Sequence, residues 1–208
     1  MKLKWLGHAS FKLSNGNVIY FDPYQINEAE KADIILISHG HYDHYSPDDI
    51  KKISKDDTDI VTTDSIPDKA GVMTMKAGDK LHIKGVDIEA VAAYNVNKFK
   101  EPNEPFHPKG DGVGFILEFG KKRIYFAGDT DFIPEMKNIK ADIAILPVGG
   151  IYTMNVEEAI QAAKAIKAKL TIPMHFGSIV GSKADAEDFK RKAGVNVIVL
   201  EKGEELEF

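Results

Sequence analysis

The sequence predicts a mixed α/β fold that forms one domain from two β/α halves, approximately residues 1–95 and 112–208. Three observations support this prediction. Short apolar runs that end at turn residues alternate with helix-start signals along the chain. The 208 residues, of which 43% are hydrophobic, suffice to bury one substantial core. A short residue pattern near the start of the first half also recurs in the second half.

Strands dominate the first half, because its apolar runs are short and bounded by turn residues. Residues 14–17 are Ser-Asn-Gly-Asn, which tolerate positive φ and predict a hairpin turn between two of these runs. Ser46 followed by Pro47 and two aspartates predicts a helix start, with serine as the cap and the carboxylates at the positive end of the helix dipole. The runs predicted as strands are 3–6, 10–13, 18–21, 34–37, 60–62 and 86–93.

The second half alternates predicted strands with two predicted helices. Asn155 with Glu158 three residues later marks the start of one helix. Ser182 with Asp185 opens the other, which Gly194 can close. The predicted strands are 113–118, 124–127, 143–146, 170–174 and 195–200.

Residues 95–112 separate the halves and contain three prolines. We predict neither a strand nor a helix there, and we interpret this stretch as a functional loop or a linker.

The recurring pattern consists of Ile-Tyr-Phe at 19–21 with Ala-Asp-Ile at 32–34, and Ile-Tyr-Phe at 124–126 with Ala-Asp-Ile at 141–143. It suggests a duplicated β/α unit. Coincidence is the alternative, because strand sequences draw on few residue types.

Composition limits the classes of function. The net charge of −5 provides no overall basic field for nucleic acid, so we expect a small-molecule substrate and no nucleic-acid partner. Cysteine is absent, so any metal must be bound by histidines and carboxylates. No stretch has the length and apolarity of a secretion signal or a membrane span, and we expect a cytoplasmic protein. The sequence leaves open whether the chain forms a homo-oligomer.

Four potential metal ligands, His39, His41, Asp43 and His44, lie within six consecutive residues. A shuffled sequence of this composition would contain the pattern with odds of about one in a thousand. Imidazole and carboxylate together suit Zn²⁺, and Mn²⁺ or Fe²⁺ also accept them. We expect Gly40 to permit a tight bend that lets the first two histidines converge. A histidine-rich surface loop without metal is the alternative.

This His-x-His-x-Asp-His loop after an early strand resembles the signature of the metallo-β-lactamase superfamily. The family's remaining ligands have counterparts in the family's order: His107 in Phe-His-Pro, Asp129 in Ala-Gly-Asp-Thr and His175 in Pro-Met-His-Phe-Gly. The resemblance implies a four-layer αββα sandwich. It also implies that His39, His41 and His107 bind one ion, that Asp43, His44 and His175 bind a second ion, and that Asp129 bridges the two.

Three of these residues have simpler alternative roles. His175 follows a buried strand and could be a core histidine, and His107 could be a solvated residue of its irregular loop. Asp129 follows a glycine and could be a turn former.

Several short stretches resemble a small branch of the superfamily, which includes sugar-lactone lactonases and phospholipases D of the N-acyl-phosphatidylethanolamine type. The chain lacks the length for the substrate-gripping insertions of true β-lactamases and of tRNA-processing relatives, so we expect neither activity. The stretches are 5–10, 21–23, 93–95, 107–110 with 113–115, and 149–154.

Other polar residues have supporting roles in this interpretation. Asp43 is a candidate catalytic residue as well as a ligand, and His8 is expected to contact the substrate or donate a proton, with a structural role as its alternative. Asp22 and Thr130 are expected to orient the metal ligands by contacting those ligands and not the metal. His82 lies in an alternating stretch and is interpreted as a solvent-facing strand residue without function.

Four aromatic or methionine residues are candidates for a substrate pocket. Tyr94, Phe106, Tyr152 and Met154 are candidate pocket residues, although such side chains also commonly serve the core. Lys98, Lys100 and Lys109 could attract an anionic group or could simply be solvated.

The expected chemistry is hydrolysis by hydroxide bound between two divalent ions, Zn²⁺ first and Mn²⁺ or Fe²⁺ as alternatives, about 3.5 to 4 Å apart. A lactone or ester is the first expected substrate, and a phosphodiester is the alternative. Two other classes stay open. A di-iron protein of the same fold would reduce oxygen and hydrolyse nothing, although the presence of His41 and the lack of a flavin domain argue against it. A non-catalytic module would bind metal without turnover.

Overall fold

The computed structural model describes residues 1–66 and 72–208, which form two large sheets and a small two-stranded sheet. The secondary structure is mixed α/β, as predicted. The strands are β1 Lys2–Gly7, β2 Ser10–Ser14, β3 Val18–Phe21, β4 Ile34–Leu36, β5 Asp59–Thr62, β6 Met73–Thr74, β7 Lys80–Ile83, β8 Val86–Ala93, β9 Phe99–Glu101, β10 Glu104–Pro105, β11 Gly112–Phe119, β12 Lys122–Phe126, β13 Ile143–Pro147, β14 Leu170–Met174 and β15 Glu205–Glu207. The helices are α1 Pro47–Ile53, α2 Val156–Ile166 and α3 Lys183–Lys192, with a 3₁₀ helix at Pro134–Asn138.

The first compact unit comprises Met1–Met75 and Leu200–Phe208. Its sheet has the order β15-β1-β2-β3-β4-β5-β6, antiparallel from β15 to β3 and parallel from β3 to β6. The predicted turn at residues 14–17 joins β2 to β3, with Gly16 at φ 103°. The continuous apolar sequences of β3 and β4 are explained by burial on both faces of the parallel strands.

Helix α1 begins where the sequence predicts. The Ser46 side chain accepts a hydrogen bond from the Asp49 amide, and Pro47 occupies the first turn. Ile50 and Ile53 are buried in an apolar cluster with Tyr20 and other residues of this unit. The helix therefore covers the sheet just after the His39–His44 loop.

The second unit, Lys76–Val199, contains a sheet of order β14-β13-β12-β11-β8-β7. Strands β12 to β14 are parallel, and β7, β8, β11 and β12 form antiparallel pairs. The predicted capping residues are confirmed, because Asn155 with Glu158 and Ser182 with Asp185 both form reciprocal capping boxes. Gly194, at φ 66°, follows the end of α3.

The recurring sequence pattern occupies the same place in both sheets. Ile19 pairs with Ile34 between β3 and β4, and Ile124 pairs with Ile143 between β12 and β13. The aspartate before each second strand makes the same pair of bonds. The Asp33 amide donates to the Val18 carbonyl (2.8 Å) and its carboxylate accepts from the Val18 amide (2.7 Å). Asp142 does the same with Arg123, at 2.8 and 2.9 Å. This supports the duplication interpretation.

Two predictions of secondary structure are wrong. Residues 195–200 form no strand, because only Val197 forms a bridge, to Thr171. Val197 and Leu200 are buried, which explains a strand-like composition without a ladder. The stretch 95–112 is not purely irregular, because β9 and β10 form a small hairpin across Asn103 (φ 65°). Pro102 lies in its turn, where a missing amide hydrogen is tolerated.

No helix in residues 1–66 or 72–208 combines the length and apolarity needed to cross a membrane.

Candidate functional site

The predicted histidine loop of the first unit follows β4 and brings its side chains together. His39 and His44 are buried, and their ring centroids lie 4.1 Å apart. His39 Nε2 lies 3.0 Å from Nδ1 of His41. The amides of His44 and Tyr45 both donate to the His41 carbonyl, which closes the loop as a tight turn. The convergence predicted for His39 and His41 is therefore present.

Gly40 contributes less to this turn than the sequence indicates. It is absent from the residues with positive φ, and a Cβ built on it would meet Cγ1 of Ile66 at 3.4 Å, an ordinary contact. The tight bend is present, and the hydrogen bonds to the His41 carbonyl close it without a left-handed residue at position 40.

Asp22 lies behind this loop, at the end of β3, and is fully buried. Its carboxylate accepts from the Ser38 amide (2.7 Å), the Ser38 hydroxyl (2.6 Å) and Nδ1 of His44 (2.7 Å). Ser38 Oγ also lies 3.0 Å from Nδ1 of His39. Asp22 thus contacts one predicted ligand directly and a second through Ser38, a residue that the sequence analysis missed.

These contacts determine which ring nitrogen carries hydrogen. A carboxylate only accepts, so Nδ1 of His44 must be the protonated nitrogen. The single hydroxyl hydrogen of Ser38 goes to Asp22, so the hydroxyl must accept from Nδ1 of His39. In the neutral form of both rings, Nε2 therefore carries a lone pair and is available as a metal ligand.

His8 and Asp43 contact each other, with 3.0 Å between Nε2 and Oδ2. His8 is only 3% exposed, and its carbonyl accepts from the indole of Trp5. Its backbone φ of 51° is unusual for a residue other than glycine. Asp43 Oδ2 is also 3.9 Å from Nε2 of His44. The two predicted catalytic residues therefore form one buried polar pair beside a predicted ligand.

The second unit brings together the other three predicted ligands. Asp129 follows β12, His175 follows β14, and His107 lies between β10 and β11. Oδ2 of Asp129 is 3.3 Å from Nε2 of His107 and 3.0 Å from Nε2 of His175. All three are at most 5% exposed. One carboxylate oxygen thus lies beside two imidazole nitrogens, as a bridging ligand would.

His175 is closely packed from one side. It has a φ of 59°, and a Cβ built on Gly149, the second residue after β13, would lie 2.7 Å from its carbonyl oxygen and 2.9 Å from its Nδ1. A real Cβ does not occupy such space, so this position requires glycine. The close approach of Gly149 to the predicted ligand His175 therefore explains the first glycine of the Gly149-Gly150 pair.

Two further polar residues were missed from the sequence: Asn95, which contacts His107, and Asp131, which contacts Asn95. Asn95 Oδ1 is 2.8 Å from both the backbone amide and Nδ1 of His107. Asn95 Nδ2 donates to Oδ1 of Asp131 at 3.1 Å, and Asp131 is fully buried. The available signal for Asn95 was its position as the second residue after a predicted strand. Nothing in the local sequence distinguishes Asp131 from Asp129.

Thr130 bonds to the backbone beside the predicted ligand Asp129. Its hydroxyl accepts from the Tyr94 amide and lies 3.1 Å from the Tyr94 carbonyl and 2.9 Å from that of Asp131. These bonds hold the segment after Asp129 against the end of β8, so they position the chain around the ligand.

The predicted pocket residues occupy different environments. Met154 is fully buried, and its amide donates to the Thr130 carbonyl. Tyr152 packs edge-on against Phe106, with 4.8 Å between ring centroids. Tyr94 donates to Glu135, and the Lys109 ammonium lies 4.6 Å from the centre of its ring.

The lysines of this region have acidic partners. Lys109 pairs with Glu135, which together with Tyr94 raises the pKa of Lys109. Lys98 pairs with both Glu158 and Asp131. Burial raises the pKa of Glu158, but hydrogen bonds from Lys98 and Asn97 outweigh burial, so this pKa is lowered overall. Lys100, by contrast, is exposed on β9, and so is His82 on β7, as predicted for His82.

The donor set of each unit fits a divalent metal. Bonds of about 2.0 to 2.1 Å in a tetrahedral arrangement place neighbouring ligand atoms about 3.3 Å apart. Four ligand-atom pairs are described above within the units. His39–His41, His107–Asp129 and His175–Asp129 are 3.0 to 3.3 Å apart, and Asp43–His44 is wider at 3.9 Å. Buried imidazole nitrogens and carboxylate oxygens are the donors that zinc takes in the absence of cysteine.

Comparison with known proteins extends these observations. The chain matches the family model "Beta-lactamase superfamily domain" over residues 2–175. The UPF0173 metal-dependent hydrolase of Nanoarchaeum equitans is 34% identical over 100% of both chains. The UPF0173 metal-dependent hydrolase of Thermoplasma acidophilum is 35% identical over 93% of this chain and 91% of its own length. The structure of Igni18, a metallo hydrolase from the archaeon Ignicoccus hospitalis, is 25% identical with a TM-score of 0.81 and covers 100% of this chain and 98% of its own.

Proposed function

Because the chain belongs to the beta-lactamase superfamily and, within it, to the UPF0173 metal-dependent hydrolases, we propose that it hydrolyses a lactone or ester with two divalent metal ions. Because it belongs to these families, the chain is a metal-dependent hydrolase, and the predicted fold class is confirmed. The substrate, the number of ions and the ligand set are our proposal.

The proposed ligand set is the one that the family resemblance implies. The observation that carries it is the spacing of 3.0 to 3.9 Å between neighbouring ligand atoms, combined with hydrogen bonds that leave Nε2 of His39 and His44 with a lone pair. The proposed ligands are His39, His41 and His107 for one ion, Asp43, His44 and His175 for the other, and Asp129 as the bridge.

The ions would supply Lewis acidity toward the substrate oxygen and an activated water at neutral pH. The chain's own residues provide orientation. Asp22 and Ser38 hold the rings of His39 and His44, so each Nε2 has a fixed direction. Asp43 is proposed to orient the attacking water, and His8, 3.0 Å from its carboxylate, to exchange a proton at Nε2.

Zinc is the proposed native metal, because the donors are histidine nitrogens and carboxylate oxygens, with manganese and iron as alternatives. The sequence resemblance to lactonases and N-acyl-phosphatidylethanolamine phospholipases supports a lactone or ester as substrate. We also propose a cytoplasmic location, which a chain without cysteine suits.

A combined metal and substrate screen tests this function. Protein reconstituted separately with Zn²⁺ and Mn²⁺ is assayed against lactones, carboxylic esters, phosphodiesters and thioesters, and bound metal is counted at saturation. We expect two equivalents of metal and hydrolysis of a lactone or ester. His41→Gln should lose both metal and activity, while His82→Gln, which changes an exposed histidine on β7, should lose neither.

Three results would contradict the proposal. A single metal equivalent at saturation excludes the dinuclear site. Turnover of phosphodiesters alone shows that the substrate is a phosphodiester and not a lactone or ester. Oxygen consumption without any hydrolysis assigns the chain to the redox class instead.

A further inference from the structure

The side chain of Asn95 has four close polar partners. Its Oδ1 faces the backbone amide and Nδ1 of His107, each at 2.8 Å. Its Nδ2 faces Oδ1 of Asp131 at 3.1 Å and the Tyr152 carbonyl at 2.9 Å. Asn95 is only 6% exposed, so water does not replace these contacts easily.

These partners permit only one orientation of the Asn95 amide. The His107 amide can only donate, so the atom facing it must be the oxygen. The Asp131 carboxylate and the Tyr152 carbonyl can only accept, so the atom facing them must be the NH₂ group. Rotation of the amide by 180° would place donor against donor and acceptor against acceptor.

The orientation of Asn95 in turn selects the tautomer of His107. An amide oxygen cannot donate, so Nδ1 of His107 must carry the hydrogen. In the neutral ring, the lone pair is then on Nε2, the atom that lies 3.3 Å from Oδ2 of Asp129. The opposite tautomer would place a lone pair against the amide oxygen at 2.8 Å.

Asp131 anchors this arrangement. Its Oδ2 accepts from the backbone amides of Val96 (2.7 Å) and Asn97 (2.9 Å), so the carboxylate cannot turn away from Asn95 without losing both bonds. Lys98 lies 3.1 Å from Oδ1 and compensates the buried charge. The carboxylate therefore holds both the backbone of this loop and the asparagine side chain.

We propose that Asp131 and Asn95 are positioning residues that hold His107 in the Nδ1–H tautomer with Nε2 directed to the metal. This inference rests on the proposed function, in which His107 is a metal ligand. It gives the second unit an orienting group equivalent to Asp22 and Ser38 in the first, built from an amide in place of a hydroxyl.

The tautomer is measured directly by long-range ¹H–¹⁵N NMR of the histidine rings, in the zinc-loaded full chain and after chelation. His107→Gln identifies the His107 signals. We expect Nδ1–H for His107 in wild type. Asn95→Ala should give mixed or exchanging tautomers and a zinc affinity about 10- to 100-fold lower. The matched control is Asn97→Ala, because the Asn97 side chain bonds to Glu158 and Lys98 in place of His107. It should leave both readouts unchanged.

A reciprocal exchange separates positioning from general loss of structure. Asn95→Asp places two carboxylates together, and Asp131→Asn places an NH₂ group against donors, so each single variant should lose zinc affinity. In Asn95→Asp combined with Asp131→Asn, the carboxylate at position 95 still accepts from His107, and the amide at position 131 donates to that carboxylate. The Tyr152 carbonyl loses its donor and Lys98 loses the charge of Asp131, so the compensation is partial. We expect the double variant to recover the Nδ1–H tautomer and to bind zinc more tightly than either single variant.

The outcomes for this inference and for the proposed function are distinct. An Nε2–H tautomer of His107 in wild type overturns the inference even if metal binds and hydrolysis occurs. Equal behaviour of Asn95→Ala and Asn97→Ala also overturns it, as does a double variant no better than the singles. A wild type that binds no zinc refutes the proposed function, whereas its His107 tautomer still tests the inference.

Discussion

Gly149→Ala is expected to destabilise the protein and to weaken metal binding at the same time. The added Cβ would lie 2.7 Å from the His175 carbonyl oxygen, 2.9 Å from His175 Nδ1 and 2.9 Å from Cγ2 of Val180. Ordinary contacts begin near 3.4 Å, so these atoms must separate by about 0.5 to 0.7 Å. The carbonyl belongs to the backbone and Val180 is buried, so no flexible side-chain end can yield.

The structure gives the size of both effects. Overpacking of this kind costs about 1 to 3 kcal/mol, which for a chain of this length lowers Tm by roughly 2 to 12 °C. A displacement of about 0.5 Å is also the limit within which a metal site keeps its ligands in place. We therefore expect zinc affinity to fall by at least about tenfold.

The assay combines thermal unfolding of the chelated protein with zinc competition titration of the folded protein. Gly40→Ala is the stability control, because its Cβ would meet Ile66 at 3.4 Å and its φ is outside the positive range. It should change the free energy of unfolding by less than about 1 kcal/mol. If Gly149→Ala unfolds and binds zinc like wild type, the close approach to His175 is not a constraint and the reasoning is refuted.

Three further substitutions have defined outcomes. Asp22→Asn should lower zinc affinity by about 10- to 100-fold, because the NH₂ group of the asparagine forces Nδ1 of His44 to accept a hydrogen bond. Unchanged zinc affinity in a competition titration would contradict this. Glu158→Gln tests the ion pair with Lys98. Because the folded-state pKa of Glu158 lies below its ordinary value of 4.5, the pair stabilises the fold above that pH and loses its effect as pH falls through the lower folded pKa. Urea unfolding should therefore show a loss of stability at pH 7 that shrinks below about pH 4, and a pH-independent loss would oppose this account. Asn155→Ala removes the cap of α2 and should cost about 1 kcal/mol in the same measurement; a cost near zero would show that the cap is redundant.

Much of the first unit could be predicted from sequence because its signals are local. The cap at Ser46 and the turn at residues 14–17 depend on residues within a few positions of each other. The histidine loop is likewise a contiguous pattern after one strand. Asp22 was also accessible, because it follows a parallel strand at the edge where β4 ends.

The parts that sequence could not provide depend on distant partners. Asp131 and Asn95 are 36 residues apart, and their roles appear only when the ends of β8 and β12 lie close together. The apolar run 195–200 was misinterpreted because burial and strand pairing produce the same composition. The hairpin of β9 and β10 was hidden by prolines that in fact lie where the strands turn or end.

The paired bonds made by Asp33 and Asp142 bear on how the chain folds. Each aspartate closes a short segment, 15 residues to Val18 in one case and 19 residues to Arg123 in the other. Loops of this size cost little entropy to close, and the hairpins β2–β3 and β11–β12 beside them close still shorter loops. Each unit therefore contains its own run of local strand pairs. Folding can start in either unit, and the polypeptide emerging from a ribosome can form the first run of pairs before the second has been synthesised.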